Sequence, residues 1–263
     1  MELGLEGKVA LVAAASRGLG RAIAAELANE GASLVMCARN AEPLDRAARE
    51  IGAHTGRMPL AVQADVSRPA DVARLVDAAL ERFGRVDVLV TNAAGPPAGP
   101  FESHDAAAWE TTYRVTLASA VELTRRVLPG MKERRWGRIV NVTSITVKQP
   151  VDNLMLSNSL RAAVTGFART LANEVAPFGI TVNNVLPGYT RTERVEELAA
   201  ARSAREGITP AAALAEWQHQ IPAGRLGEPN ELAALTAFLA SERAAYITGQ
   251  SIAVDGGWIR SLY

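Results

Sequence analysis

The chain has 263 residues, 48% of them apolar, and its 28 Lys and Arg residues balance its 28 Asp and Glu residues. This composition is typical of a folded globular protein and excludes disordered and fibrous classes. A net charge of zero gives no long-range attraction for a polyanion, so we expect no nucleic-acid partner. We interpret the short basic cluster of Lys132, Arg134, Arg135 and Arg138 as the solvated end of a helix.

The single cysteine, Cys37, excludes an intrachain disulfide and a cysteine-based metal site, and we predict no metal centre. The N-terminal region has no basic stretch followed by a long apolar run. No apolar run in the sequence is long enough to cross a bilayer. We therefore expect a cytoplasmic protein without a membrane partner.

Short apolar runs alternate with longer helical stretches along the chain. The strands are predicted, in order, at residues 9–13, 33–37, 60–66, 86–91, 138–143, 181–186 and 251–254. The helices are predicted at residues 19–30, 42–52, 70–83, 105–134, 154–176 and 229–241. Most strands are continuously apolar, which is typical of strands covered on both faces. This pattern predicts an α/β fold in which residues 1–263 form a single-domain, doubly wound (Rossmann) seven-stranded parallel sheet with helices on both faces.

The segment 191–222, between the sixth strand and the last helix, does not follow this alternation of strands and helices. It is rich in Ala, Glu and Arg and is interrupted by Gly207 and Pro210. It is either a surface helical hairpin or a mobile lid over a binding site. We favour a substrate lid, because a segment of this length between regular elements is often functional.

The turn after the first strand predicts a nucleotide site. A helix follows at once, so Gly18 and Gly20 would let a phosphate approach the backbone at a helix N-terminus. Two glycines alone are a weak signal, and their position between a strand and a helix strengthens it. The predicted cofactor-binding residues of this turn are Ala14, Ser16, Arg17, Gly18, Leu19 and Gly20.

The end of the second strand distinguishes between the two nicotinamide dinucleotides. An acidic residue there would hold the ribose of NAD, but residues 37–40 contain none. Arg39 together with Arg17 would hold a 2′-phosphate, although two solvated arginines are the plainer interpretation. We therefore predict that NADP(H) is favoured over NAD(H).

Further motifs follow the later strands: Asp65-Val66, Asn92-Ala93-Ala94-Gly95, Ser144 after the fifth strand, and Pro187-Gly188-Tyr189-Thr190. With these motifs the chain resembles the short-chain dehydrogenase/reductase family over nearly its whole length, close in pattern to 3-oxoacyl-acyl-carrier-protein reductases. The resemblance implies that Asp65 and Val66 contact adenine, and that Pro187, Gly188 and Thr190 hold the nicotinamide amide and phosphates. It also implies a cofactor contact at Asn92, Ala93 and Gly95, and a homotetramer.

The family's catalytic tetrad is only partly present. In the family a serine hydrogen-bonds the substrate oxygen, a tyrosine transfers the proton, a lysine lowers the tyrosine pKa and holds the ribose, and an asparagine anchors a water. The resemblance places these roles on Ser144, Ser157, Arg161 and Thr116, so only the serine is retained. We take these four as the catalytic candidates, with Arg161 also as a cofactor ligand.

The substitutions remove an acid and keep a charge. A serine hydroxyl is less acidic than a phenol and reaches less far, although a water could fill the gap. Loss of a positioned general acid costs about 10²–10⁴-fold in rate. Arg161 could still hold ribose hydroxyls or stabilise an oxyanion. Tyr189 is the best substitute donor, but we favour aromatic packing for it. Tyr113, Lys148 and His219 are weaker candidates: we expect Tyr113 to pack on its helix, Lys148 to be a solvated loop charge and His219 to be a surface histidine.

Three functions remain open. The first is an NADP-dependent oxidoreductase, similar to the 3-oxoacyl reductases, that acts on a small-molecule carbonyl or alcohol substrate with an atypical Ser/Ser/Arg site. The alternative is a catalytically impaired nucleotide-binding scaffold or oligomer partner. A cofactor-free lyase is the weakest of the three. The halohydrin dehalogenases, which resemble this family, also have an arginine at the lysine position, but they retain the tyrosine that this chain lacks.

Ala14 replaces the first glycine of the turn after the first strand. This replacement is harmless if Ala14 has a negative φ and strained if its φ is positive.

Overall fold

A computed structural model describes residues 2–262 and contains one parallel sheet of seven strands. The strands are β1 (Val9–Val12), β2 (Ser33–Ala38), β3 (Leu60–Gln63), β4 (Val88–Thr91), β5 (Gly137–Val142), β6 (Ile180–Pro187) and β7 (Ser251–Val254). Their order in the sheet is β3-β2-β1-β4-β5-β6-β7. The predicted fold class, a doubly wound parallel sheet with helices on both faces, is confirmed.

Nine α-helices occur within residues 2–262. They are α1 (Gly18–Asn29), α2 (Ala41–Thr55), α3 (Pro69–Phe83), α4 (Ala106–Tyr113), α5 (Ser119–Arg134), α6 (Met155–Val175), α7 (Glu193–Glu206), α8 (Pro210–Gln220) and α9 (Pro229–Ala240). One face of the sheet is covered by α1, α2 and α9, and the other by α3, α5 and α6. Because both faces are covered, β1, β4 and β5 are buried along their whole length, as expected of a parallel sheet.

The predicted helix 105–134 is divided in the structure. The segment Arg114–Ala118, between α4 and α5, is wound as a π-helix. Such insertions occur often at functional sites, because the wider turn moves backbone and side chains out of helical register. Here the segment carries Thr116 into the interior of the protein.

Two interpretations of single residues need correction. Arg138 is not at a solvated helix end; it is buried and donates to the carbonyl oxygens of Ser241 and Gly179, both at 3.1 Å. Tyr113 is 45% exposed and is therefore not a packing residue of its helix.

Cys37 is buried, and burial raises the pKa of its thiol to about 12.

Two expected absences can be compared with the described residues. No helix within residues 2–262 has the length and hydropathy that a membrane span requires. In the same range, no cluster of three or more His, Cys, Asp or Glu side chains could hold a metal ion.

Candidate functional site

The candidate site lies above the carboxyl ends of β1 and β4, where the order of the sheet changes direction. In doubly wound sheets, the loops on either side of this point run to opposite faces and leave a crevice that binds ligands. The turn after β1 and the loop after β4 border this crevice. They carry Ser16, Asn92 and Ala93, all of which are half-buried.

The first turn of α1 is suited to an anion. Arg17 is its N-cap residue, no side chain caps the helix, and its first turn contains no acidic residue. The backbone N–H groups of Gly18, Leu19 and Gly20 therefore have no side-chain acceptor. They face the crevice at the positive end of the helix dipole.

Gly20 permits the close packing of this turn. A Cβ at Gly20 would collide with the carbonyl oxygen of Ala14 and would lie 2.9 Å from Nδ2 of Asn92. Ala14 itself adopts φ +50°, the left-handed region. An L-residue is strained there by about 1–2 kcal/mol. Of the two conformations considered for Ala14, the structure thus has the strained one with positive φ.

A cavity of about 290 Å³ lies beside the ends of β2 and β3. Its lining is mostly charged: Arg39, Gln63, Asp65, Arg68, Asp71 and Arg74. Of the two arginines predicted to hold a 2′-phosphate, Arg39 lines this cavity and Arg17 does not. Arg68 and Arg74 also line it, although no motif in the sequence singles them out.

Asp65 forms a tight turn after β3. Its Oδ1 accepts hydrogen bonds from the backbone N–H and the Oγ of Ser67, at 3.0 and 2.7 Å. Burial tends to raise the pKa of Asp65, but the bonds from Ser67 and the charges of Arg39 and Arg68 outweigh burial and lower it. The carboxylate is therefore ionised at neutral pH. Val66 packs against the apolar core beneath this turn.

Ser144 follows β5 and is the N-cap of a short 3₁₀ turn, Ile145–Val147. Its Oγ accepts a hydrogen bond from the backbone N–H of Thr146 at 3.2 Å. A hydroxyl that accepts one bond in this way keeps its own hydrogen for another partner. Ser144 is half-buried and can therefore donate to a ligand in the crevice.

Arg161 lies on α6, beneath the end of β5, and is only 8% exposed. Its Nη1 donates to the carbonyl oxygens of Val142 and Thr143, at 3.0 and 2.8 Å. It forms no ion pair with any carboxylate among residues 2–262. Burial lowers the pKa of Arg161 to about 10, and the neighbouring guanidinium of Arg194 contributes to the lowering. At neutral pH the site holds a buried, unneutralised cation.

Ser157 lies one helical turn before Arg161 and is 7% exposed. In the part of the chain that the structure describes, its side chain has no hydrogen-bond partner. The hydroxyl is therefore neither engaged in the packing of α6 nor held in one orientation. It is available to a ligand or a water molecule.

Thr116 and Arg161 border one small cavity of about 10 Å³, together with Asn92 and Ala93. The Oγ1 of Thr116 is buried and has no partner in the described residues. A cavity of this size accommodates about one water molecule. The cavity joins the loop after β4 to the buried cation of α6.

The loop after β6 lies close to the end of β7. A Cβ at Gly188 would come within 2.7 Å of the Cα of Asp255, and the Gly188 N–H donates to the carbonyl oxygen of Val254 at 3.0 Å. Pro187 ends β6, and Thr190 is buried and forms a bridge with Gly227. This arrangement holds the loop at the edge of the crevice.

The segment 191–222 is a helical hairpin formed by α7 and α8. Tyr189 packs beneath it, stacked on Trp217 at 4.8 Å between ring centroids and edge-on to Trp258 at 5.9 Å. Burial raises the pKa of Tyr189 to about 12, against a smaller lowering by Arg202. Aromatic packing, the favoured interpretation of Tyr189, therefore agrees with the structure. Lys148 and His219 are exposed.

The first turn of α7 extends over the crevice. Arg194 donates from Nη2 to the carbonyl oxygen of Pro96 at 2.6 Å, and a Cβ at Gly95 would lie 2.5 Å from its Nε. The Oε2 of Glu193 lies 3.7 Å from the Cβ position of Gly18. Sequence reasoning missed both residues, because contacts between distant segments have no local signal.

These features define a Rossmann-type fold with a polar site at the ends of β4 and β5. The family of enoyl-(acyl carrier protein) reductases matches residues 13–259. The 3-oxoacyl-[acyl-carrier-protein] reductase FabG of Vibrio cholerae is 37% identical over 255 residues, which are 97% of this chain and 98% of that protein. The chain belongs to the short-chain dehydrogenase/reductase family.

Solved structures agree with this assignment. L-Sorbose reductase from Gluconobacter frateurii, complexed with NADPH and L-sorbose, has a TM-score of 0.94 and 34% identity, with 100% of both chains covered. A variant of actinorhodin polyketide ketoreductase with NADPH has a TM-score of 0.93 and 34% identity over 97% of this chain and 98% of that one. The similarity thus extends over nearly the full length of these reductases.

Proposed function

We propose that the chain is an NADP-dependent oxidoreductase that reduces a small-molecule carbonyl compound, or oxidises the corresponding alcohol, in the manner of the 3-oxoacyl reductases. One arrangement carries this proposal. The uncapped, acid-free start of α1 and the Ser144–Arg161 end of β5 share one crevice, and Asn92 links them. An anion-binding helix end beside a hydroxyl and a buried cation suits a charged dinucleotide and a polar substrate.

The residues present fit the cofactor. The N–H groups at Gly18, Leu19 and Gly20 would bind its pyrophosphate, and Asp65 and Val66 its adenine. Arg39, on the charged cavity of about 290 Å³, would bind a 2′-phosphate. Asn92, Ala93, Gly95, Pro187, Gly188 and Thr190 would border the nicotinamide end. The bound nicotinamide would supply or accept a hydride.

The chain's own groups orient the substrate and move the proton. The Ser144 hydroxyl, free to donate, would hold the substrate oxygen. The buried charge of Arg161 would stabilise negative charge that develops there. The unpartnered hydroxyl of Ser157 would position a water that delivers the proton, since no phenol stands at this place.

Thr116 would keep a water at the same end of the crevice. Its buried Oγ1 faces no protein partner among the described residues, and the adjacent cavity has room for one water beside Arg161. A water there would satisfy the Thr116 hydroxyl. It would also connect the substrate end of the crevice to the interior side of α6.

The organisation of the molecule is part of the proposal. Residues 1–263 would act as one dinucleotide-binding domain, with 191–222 as a substrate lid that closes through the contacts of Glu193 and Arg194. We also propose a cytoplasmic homotetramer, with α6 and the region of Trp258 between subunits. Light scattering tests the assembly, and a monomer would contradict it.

The first experiment measures thermal unfolding with NADPH, NADP, NADH and NAD at equal concentration. A ligand at about 100 times its Kd stabilises by roughly 2.7 kcal/mol, and each kcal/mol shifts the Tm of a chain of this size by about 2–4 °C. We expect a shift with the two phosphorylated cofactors that is lost in Arg39→Met and kept in the control Arg243→Met. Equal shifts with all four would contradict the NADP preference.

The second experiment follows NADPH oxidation with a panel of 3-oxoacyl thioesters and hydroxyketones. We expect slow turnover that falls by about 10²-fold or more in Ser144→Ala. Cofactor binding without turnover on any substrate would favour the alternative of a nucleotide-binding scaffold or oligomer partner. No binding of any nicotinamide nucleotide would contradict the proposed function altogether.

A further inference from the structure

Two arginines that line the cavity of about 290 Å³ beside the ends of β2 and β3 have charged heads that the protein does not engage. The guanidinium of Arg39 forms no hydrogen bond or ion pair with any of residues 2–262. The Nε of Arg68 lies 4.0 Å from Oδ2 of Asp65, and its side chain is 74% exposed. Both guanidinium groups therefore keep their N–H donors for a ligand.

The third arginine of the cavity, Arg74, is already engaged. It donates from Nη2 to the carbonyl oxygen of Gln63 at 2.9 Å and pairs with Oδ1 of Asp71 at 3.2 Å. Asp65 is the other carboxylate that lines the cavity, and it alone is left to balance the two free arginines. Three arginines and two aspartates leave this cavity with an excess of one positive charge, which favours an anionic ligand.

The backbone of both free arginines is held in place. Arg68 is the N-cap residue of α3. Its N–H donates to the carbonyl oxygen of Asp65 at 2.9 Å, and its own carbonyl oxygen accepts from the N–H of Asp71 at 3.0 Å. The carbonyl oxygen of Arg39 accepts from Nε2 of Gln63 at 2.9 Å. Two fixed backbone positions thus present two long cationic side chains to one cavity.

We propose that Arg68, together with Arg39, binds the 2′-phosphate of NADP(H). This role rests on the proposed function, in which the cavity would receive the adenosine end of the cofactor. A phosphate monoester carries close to two negative charges at neutral pH, and its oxygens accept paired hydrogen bonds from guanidinium groups. NAD(H) has a hydroxyl in place of the phosphate and gains no such ion pair. Arg68 is therefore a specificity-determining residue that distinguishes the two cofactors.

Two cofactor fragments that differ only in the 2′-phosphate isolate its contribution. Adenosine 2′,5′-bisphosphate and adenosine 5′-monophosphate are titrated by calorimetry into the full chain, and the ratio of their Kd values is measured. We expect the wild type to prefer the bisphosphate, and Arg68→Met to lower this preference by about tenfold or more. The matched control is Arg74→Met, which removes from the same cavity a charge that Asp71 already neutralises. Its preference should stay within about twofold of the wild type.

A second variant separates charge from geometry. Arg68→Lys keeps the charge and loses the paired donors, so its preference should lie between those of the wild type and Arg68→Met. Because the Arg68 side chain is exposed, both variants should unfold at the wild-type Tm. An unchanged preference in Arg68→Met, or equal losses in Arg68→Met and Arg74→Met, would overturn the proposal.

Titrations of NADPH and NADH distinguish a failure of this role from a failure of the proposed function. If NADPH binds the wild type and Arg68→Met equally, the role of Arg68 is wrong and the proposed function stands. Equal weakening of NADPH and NADH in Arg68→Met would also refute the role, since NADH carries no 2′-phosphate. If the wild type binds neither NADPH nor the bisphosphate, the proposed function fails and the role of Arg68 fails with it.

Discussion

Arg161 donates from Nη1 to the carbonyl oxygen of Thr143, 2.8 Å away, and thereby ties α6 to the end of the strand that carries Ser144. The same nitrogen bonds the carbonyl oxygen of Val142 at 3.0 Å. Val142 and Thr143 are both buried, and this guanidinium gives their carbonyl oxygens a charged donor. Arg161 therefore fixes the end of the strand that precedes Ser144, in addition to placing a positive charge beside the crevice.

Replacing Arg161 tests this positioning role. Arg161→Met fills the volume but donates nothing, so both carbonyl oxygens lose their charged donor. We expect the free energy of unfolding to fall by about 1–3 kcal/mol, measured in urea. The control is Arg169→Met on the same helix, whose exposed contact with the carbonyl oxygen of Gly249 is 3.4 Å long. Equal stability of the two variants would contradict the role.

Tyr189 should be dispensable for the chemistry. Its ring is stacked on Trp217, and its pKa is raised to about 12, so it is a poor proton donor. We expect Tyr189→Phe to keep kcat/KM near the wild-type value and to change stability at neutral pH by less than about 0.5 kcal/mol. A 10²-fold loss of turnover would instead make it the missing acid.

The same residue makes a pH prediction. The unfolded phenol loses its proton near its ordinary pKa of 10.0, whereas the folded one holds it until about pH 12. The contribution of Tyr189 to stability is thus fully present below pH 10 and is lost as the pH rises toward 12. Urea unfolding at pH 8 and pH 11 should show a smaller loss of stability in Tyr189→Phe than in the wild type.

A phenol at position 157 should increase the rate. Ser157→Tyr restores a longer and more acidic hydroxyl one turn before Arg161, and we expect NADPH oxidation to rise by about 10²–10⁴-fold. The matched control is Ser159→Tyr, an exposed position on the same helix. No increase in a folded Ser157→Tyr variant would show that the proton is delivered from elsewhere.

Glu193 should weaken cofactor binding. Its carboxylate lies near Gly18 at the positive end of α1, where it would compete with a bound pyrophosphate for the positive potential of the helix end. We expect Glu193→Gln to lower the Kd for NADPH by about two- to fivefold, which corresponds to the 0.3–1 kcal/mol of a charge at a helix end. Glu196→Gln makes the same charge change one turn away, and an equal effect there would refute the local explanation.

The elements were predictable because their signals are local. Short β-branched or apolar runs placed all seven strands, and the predicted third strand extended past its observed end to the turn that Asp65 forms with Ser67. The π-helical winding around Thr116 has no such signal; this segment contacts α6, which is distant in the sequence. The prediction that Arg138 is solvated was wrong for a related reason. A basic residue next to a helix end is usually solvated, but Arg138 is the second residue of β5, which pairs with a strand on each side.

The sequence by itself determined the doubly wound sheet and the strand–turn–helix at Gly18 and Gly20, because those properties follow from periodicity and residue type. The resemblance to the family placed Ser157 and Arg161 at the positions of its tyrosine and lysine, which remains a prediction. Only the tertiary structure decided that Arg161 is buried without a counter-charge, that Ala14 is strained, and that Arg194 reaches the loop after β4. These are contacts between segments far apart in the chain, and their energies depend on burial and distance, which local sequence does not encode.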